Sequence, residues 1–67
     1  MDSKLIGQRL SELRKDKPRE DVAAALGVTV SALGMYERGE RVPRDEIKVK
    51  IAKYYGVSVQ DLFFAIQ

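Results

Sequence analysis

The chain contains no cysteine and no histidine. The first absence removes both a disulfide frame and a thiolate metal site, the usual supports of a domain this small. The second removes the commonest general base and metal ligand. No run approaches the ~18–20 apolar residues that a bilayer-spanning helix needs. The N-terminal "MDSKLIGQRL" also lacks the long apolar stretch of a secretory leader, so a cytoplasmic protein with no membrane partner is expected. A glycine-rich phosphate loop between a strand and a helix is missing too. Serines and ten carboxylates are present, yet without His or Cys no nucleophile–base constellation can be built unless a lysine or carboxylate is recruited. An enzyme is not expected, nor a cofactor, a metal or a small-molecule effector.

What remains is a chain of 67 residues, 45% hydrophobic and 33% charged, which is the balance of one folded domain spanning 1–67 rather than of a disordered tail. Twelve Lys and Arg against ten Asp and Glu leave a net charge of +2, which permits nucleic-acid binding without demanding it. The placement of the charges has to decide.

Apolar residues recur three and four apart, and glycine or proline interrupts them every ten to fifteen residues, so the chain reads as all-α. Helix 1 is expected from Ser3, as N-cap, to Lys15, with Ile6, Leu10 and Leu13 on one face. Pro18 ends that run and suits the first turn of helix 2, Arg19 to Leu26, whose Glu20 and Asp21 lie near its positive end. Gly27 stops it in a left-handed conformation. Thr29 caps helix 3, which runs to Arg38 before Gly39. Helix 4 starts near Arg44 or Asp45, shows Ile47, Ile51, Tyr54 and Tyr55 as its inward stripe, and ends at Gly56. Ser58 and Asp61 have capping-box spacing, which predicts a short helix 5 from Val59 to about Ala65.

The most specific local pattern lies between Arg19 and Arg38. Two helices joined by a short turn at a steep angle pass close together. A large side chain at Ala23 would block that approach, and a β-carbon at Gly27 would strain the turn. Val22, Leu26, Val28 and Leu33 fill the wedge, with Tyr36 further along the second helix.

Three stretches, "IGQRLSELRK", "DVAAALGVTVSALGMYERGER" and "IAKYYGVSVQDLF", resemble the lambda-repressor-like, Cro/C1-type (XRE) helix-turn-helix family, and the likeness runs from Leu5 to Phe63. The resemblance implies a compact five-helix DNA-binding domain, with helices 2 and 3 forming the helix-turn-helix and helix 3 as the recognition helix. It implies a bacterial or phage transcriptional regulator, repression being the expected direction, that binds double-stranded DNA, often as a dimer on a two-fold operator. Two departures stand out. Arg19 occupies a position where the family commonly has a phosphate-holding glutamine, and the loop between helices 1 and 2 is shorter than usual, making the turn at Asp16–Pro18 tight.

On this pattern Val30, Ser31, Gly34 and Met35 face the major groove. Val30 and Met35 can touch thymine methyls, and Ser31 can bond a base edge or a phosphate. Gly34 costs ~1 kcal/mol of helix stability relative to alanine; close approach of backbone to DNA and simple tolerance at an exposed site both account for it. Phosphate contacts are expected from Arg19, Thr29, Arg38, Arg41 and Arg44. Glu37 looks awkward beside DNA, and the resemblance suggests that it turns inward to pair with Arg14.

The terminal "VQDLFFAIQ" carries more apolar side chains than a short helix can bury in one domain. Leu62 and Phe63 are expected to close the core, leaving Phe64 and Ile66 for a homodimer interface that would set two recognition helices about 34 Å apart. A monomer with a greasy tail is the plainer reading of the same residues. The competing function is a protein-interaction module of the same fold, an antitoxin or adapter subunit using Val30, Met35 or the Phe64 edge.

Overall fold

The computed structural model describes residues 2–64, and over them the chain forms α1 (Ser3–Arg14), α2 (Arg19–Leu26), α3 (Val30–Glu37), α4 (Asp45–Tyr55) and α5 (Gln60–Phe64), a single turn of the wider π type. No strand occurs among the described residues. The fold is the expected all-α lambda-repressor-like domain. No helix is long and apolar enough to cross a membrane.

Helix boundaries follow local chemistry. Asp2, not Ser3, caps α1: its Oδ1 accepts the amides of Lys4 and Leu5, each at 3.1 Å, and brings a negative charge to the positive end of the helix. The short link to α2 is as tight as the sequence implies. Lys15 takes a positive φ of 55°, which a side chain adopts only under strain. Arg14 offsets this by donating from Nη1 to the Lys17 carbonyl at 2.7 Å. Three helices end in the same way. After α2, α3 and α4, a glycine at positive φ (Gly27, Gly39, Gly56) lets the next amide reach back to a carbonyl of the last turn, Val28 to Ala23, Glu40 to Met35 and Val57 to Ala52.

One core unites the helices. Ile6 and Leu10 from α1, Val22, Ala23 and Leu26 from α2, Leu33 and Tyr36 from α3, Ile51 from α4, and Leu62 and Phe63 from α5 are all buried and mutually packed. In α4 the inward stripe is carried by Ile51, with Ile47, Tyr54 and Tyr55 only partly buried, while Lys48 and Ala52 are buried beside it. The Lys48 ammonium stays polar by lying over the rings of Phe63 and Phe64, 5.7 and 5.3 Å from their centroids, and by meeting Asp45 at 3.4 Å. On α5, Ser58 Oγ accepts the Asp61 amide at 2.9 Å, and Arg9 donates to the carbonyls of Asp61 and Leu62 at 2.9 and 3.2 Å. Ala65 and Ile66, expected on this helix, lie outside the described residues.

α1 and α3 approach each other closely, and glycine permits it. A β-carbon on Gly7 would stand 2.5 Å from the Glu37 carbonyl oxygen and 2.7 Å from that of Tyr36. One on Gly39 would stand 2.7 Å from Lys4 Cα. Backbone cannot yield there as a side chain can. Gly7→Ala is expected to lower stability by about 1–3 kcal/mol through overpacking, although alanine alone would favour the helix by about 1 kcal/mol. Chemical denaturation reads the balance, and undiminished stability would show that α1 is not seated against α3.

Candidate nucleic-acid interface

The turn between α2 and α3 is built from three adjacent residues. Gly27, at φ 72° and ψ 30°, closes α2; Val28 drops half-buried against the core; Thr29, in extended conformation, opens α3 by accepting the Ala32 amide on Oγ1 at 3.0 Å. Gly27 is needed for its dihedral angles and not for space, since a β-carbon there would meet only Lys50 Nζ at 3.8 Å. Ala23 is buried within the wedge, as a close helix crossing requires.

α3 divides cleanly. Leu33, Tyr36 and Glu37 face inward and are buried. Thr29, Val30, Ser31 and Arg38 are exposed, and Met35 is half-buried on the same outward stripe. Gly34 departs from expectation. It falls on that stripe yet is buried, because the Arg38 side chain folds back across it: a β-carbon at Gly34 would lie 2.9 Å from Arg38 Nη1. The glycine is a bed for that arginine in the free protein.

The five arginines near α3 differ in their commitments. Arg14 grips Glu37 with two bonds, Nε to Oε2 at 2.6 Å and Nη2 to Oε1 at 3.1 Å. Arg19 adds a third, Nε to Oε1 at 3.1 Å, while keeping 44% of its side chain exposed. One carboxylate thus ties α1, α2 and α3 together, and at 1% exposure it is fully withdrawn from solvent. Arg38 pairs with Glu40 at the surface, Nε to Oε2 at 2.9 Å. Arg41 and Arg44 are exposed and make no ion pair among the described residues. They border a concavity of about 560 Å³ between the α2–α3 turn and the loop before α4, whose walls include Thr29, Ala32, Tyr36 and Glu46. Thr29, Arg41 and Arg44 therefore share one opening beside the start of α3.

Several of these contacts carried no clear sequence signal. The Arg38–Glu40 pair and the Arg9 grip on α5 depend on how the chain turns. Gly7 did give one, since a glycine between Ile6 and Leu10 on the apolar face of a helix marks close approach. No cluster of three or more metal-ligating side chains exists among the described residues.

This arrangement is the mark of a helix-turn-helix regulator, and the helix-turn-helix family model matches residues 10–62. The chain belongs to the Cro/C1-type (XRE) helix-turn-helix family of transcriptional regulators, whose members bind DNA and are not enzymes. It is 38% identical over 64 residues to YazB, an uncharacterized HTH-type transcriptional regulator of Bacillus subtilis, covering 92% of this chain and 93% of that one. To RstR, the cryptic phage CTXphi transcriptional repressor of Vibrio cholerae, it is 33% identical over 60 residues, covering 87% of this chain and 54% of RstR. Among solved structures it is similar to the restriction-modification controller protein C.AhdI from Aeromonas hydrophila. That match has a TM-score of 0.82 and 34% identity, covering 92% of this chain and 97% of the other.

Removing Glu37 leaves Arg14 without its main partner at 16% side-chain exposure. Glu37→Ala is expected to cost about 2–4 kcal/mol, towards the lower part of the range for an orphaned buried charge because Arg14 keeps the Lys17 carbonyl and some water. Thermal melting tests it, and an unchanged Tm would rule out a structural role for the cluster.

Tyr55 offers a pH readout of the same region. Its hydroxyl is buried with no hydrogen-bond partner among the described residues. Burial, reinforced by the nearby Glu37 carboxylate and Tyr54 and opposed by Arg14, pushes the phenol up from 10.0 to about 12. Below the unfolded value the hydroxyl is neutral in both states, so it adds no pH dependence. Between 10 and about 12 only the unfolded phenol ionises, so stability falls as pH rises through that window. Tyr55→Phe is expected to show a shallower fall there, with neutral-pH stability unchanged or raised because an unsatisfied hydroxyl is gone. Equal alkaline slopes in both proteins would refute this.

Proposed function

We propose that the protein binds double-stranded DNA sequence-specifically as a transcriptional regulator, with α3 in the major groove. The observation that carries this reading is the outward stripe of α3 standing clear of the core beside two unpaired arginines. Val30 and Ser31 are exposed at its start, Met35 lies further along, and Arg41 and Arg44 open onto the same groove as the Thr29 cap. Val30 and Met35 read thymine methyls, and Ser31 bonds a base edge or a phosphate. Thr29, Arg41 and Arg44, with the half-exposed Arg19 at the start of α2, hold phosphates and fix the register without specifying sequence. Repression by occupying a promoter is the expected outcome.

The active form is a homodimer. Phe64 is 49% exposed, unusual for a ring so near a core, and it marks the edge through which two copies pair; Ile66, expected beside it, lies outside the described residues. Reading a two-fold operator requires the two α3 helices to stand about 34 Å apart, one turn of the duplex, and each domain is 31 Å in its longest dimension.

Selection from a random duplex pool, followed by titration at several salt concentrations, tests the reading. A palindromic site is expected. Arg41→Ala and Arg44→Ala should each weaken binding to all sequences alike and lower the slope of log affinity against log salt by about one. Val30→Ala should change base preference and leave the slope intact. A wild-type protein that enriches no sequence, or arginine variants that bind as tightly as it does, would sink the proposal and favour a protein-interaction module instead.

A further inference from the structure

Of Arg38, Arg41 and Arg44, only Arg38 makes an ion pair among the described residues. Its guanidinium meets Glu40 through two bonds, Nε to Oε2 at 2.9 Å and Nη2 to Oε1 at 3.3 Å. Glu40 is anchored through its backbone. Gly39, at φ 75°, turns the chain so that the Glu40 amide donates to the Met35 carbonyl at 2.9 Å, which fixes its backbone against the last turn of α3. From that anchor the carboxylate draws Arg38 back along the helix until Nη1 covers Gly34. Gly34 is thereby buried although it stands on the outward stripe between Ser31 and Met35. A residue with a β-carbon at 34 would push the guanidinium away, since it would come within 2.9 Å of Nη1.

We propose that Glu40 is an internal competitor for DNA, holding Arg38 across the reading face so that a duplex must take this arginine from Glu40 before the middle of α3 is open to bases. The inference rests on α3 being the DNA-reading helix and adds what guards it. A carboxylate presenting two oxygens to a guanidinium offers the same recognition chemistry as a phosphate. In the free protein Glu40 fills the role that a backbone phosphate takes over in the complex. The pair is solvent-exposed at both ends, 54% and 56%, so it is weak enough to be displaced by the field of a duplex. The charges support each other: hydrogen bonding from Arg38 holds the Glu40 carboxyl below its usual range, and Glu40 holds the arginine above its own. Arg41 and Arg44 have no such restraint, so they make first contact, and Arg38 moves only when the helix is seated. Capture of Arg38 then uncovers Gly34, where the bare backbone allows a close approach.

The test is a double-mutant cycle on the full chain, with Glu40→Ala, Arg38→Ala and the double variant titrated against the selected duplex. Glu40→Ala is expected to tighten binding about two- to five-fold, the scale of an exposed ion pair, and to have little effect once Arg38 is alanine. Equal tightening in both backgrounds would show that Glu40 repels DNA merely as a charge and would overturn the proposal. A second readout needs no DNA. In nuclear magnetic resonance spectra of the free protein, the Arg38 Nε proton should exchange more slowly than those of Arg41 and Arg44, and Glu40→Ala should abolish the difference. If Arg38 exchanges like the other two, the guard does not exist even where DNA binding does. If the difference is present but no duplex is bound by the wild type, the DNA reading has failed, and the competitor role falls with it.

Discussion

A single carboxylate joins α3 to α1 and α2 at once. Glu37 sits at the last turn of α3, and the arginines that clasp it come from the end of α1 and the start of α2. Charge withdrawn from water is costly, and here that cost is offset by three short bonds from two cations. The directionality of those bonds matters more than their net energy. Packing of Leu33 and Tyr36 seats α3 in the core, and the bidentate guanidinium adds a directional restraint on its rotation. Since rotation of α3 decides which side chains face outward, the orientation of Val30, Ser31 and Met35 depends on the inward face, where Glu37 is clasped beside the buried Leu33 and Tyr36.

That clasp operates only because α1 and α3 lie nearly backbone to backbone. Gly7 and Gly39 remove the two β-carbons that would hold them apart. The approach in turn places Arg14 at the right depth, and Arg14 uses its remaining donor to brace the strained link at Lys15–Lys17. The short link between α1 and α2 is thus stabilised by the residue that orients α3. A 67-residue chain without disulfides has a small margin, and it gains from each side chain that serves two constraints at once.

The helix ends and the turn could be read from the chain because their causes are local. A glycine at positive φ, a threonine four residues before Leu33 and a proline before Arg19 act on their immediate neighbours, whatever surrounds them. The first cap was misplaced by one residue for a similarly local reason: Asp2 and Ser3 are both good caps, and the charged one took the position. Family likeness pointed to the Arg14–Glu37 pair, but the third partner, Arg19, emerges only when α2 is placed against α3. Gly34 is the instructive case. Its sequence position admitted close DNA approach or mere tolerance, and the occupant turned out to be an arginine four residues on, steered by a glutamate beyond a turn. Non-local side-chain paths of this kind leave no periodic trace.

The arginines also explain why a net charge of only +2 is no obstacle to a regulator of this family. Charge neutralised inside the fold does not repel or attract at a distance: Glu37 balances the part-buried Arg14, while Arg19, bonded to the same carboxylate, keeps 44% of its side chain exposed. What DNA would meet is set by the exposed pattern: Arg19 half-exposed at the start of α2, Arg41 and Arg44 without an ion pair among the described residues beside the Thr29 cap, and Arg38 tethered to Glu40. Phosphate contacts falling on only a few side chains give a modest salt dependence for one domain, because each contact releases about one counterion. An apolar and hydroxyl reading set adds little hydrogen-bond energy to that. On the proposed reading, affinity rises when two copies join on one duplex, because the second engagement becomes intramolecular. The half-exposed Phe64 lies on α5, a different element from the outward stripe of α3, so the proposed pairing edge and the proposed DNA-facing side chains are carried by separate helices.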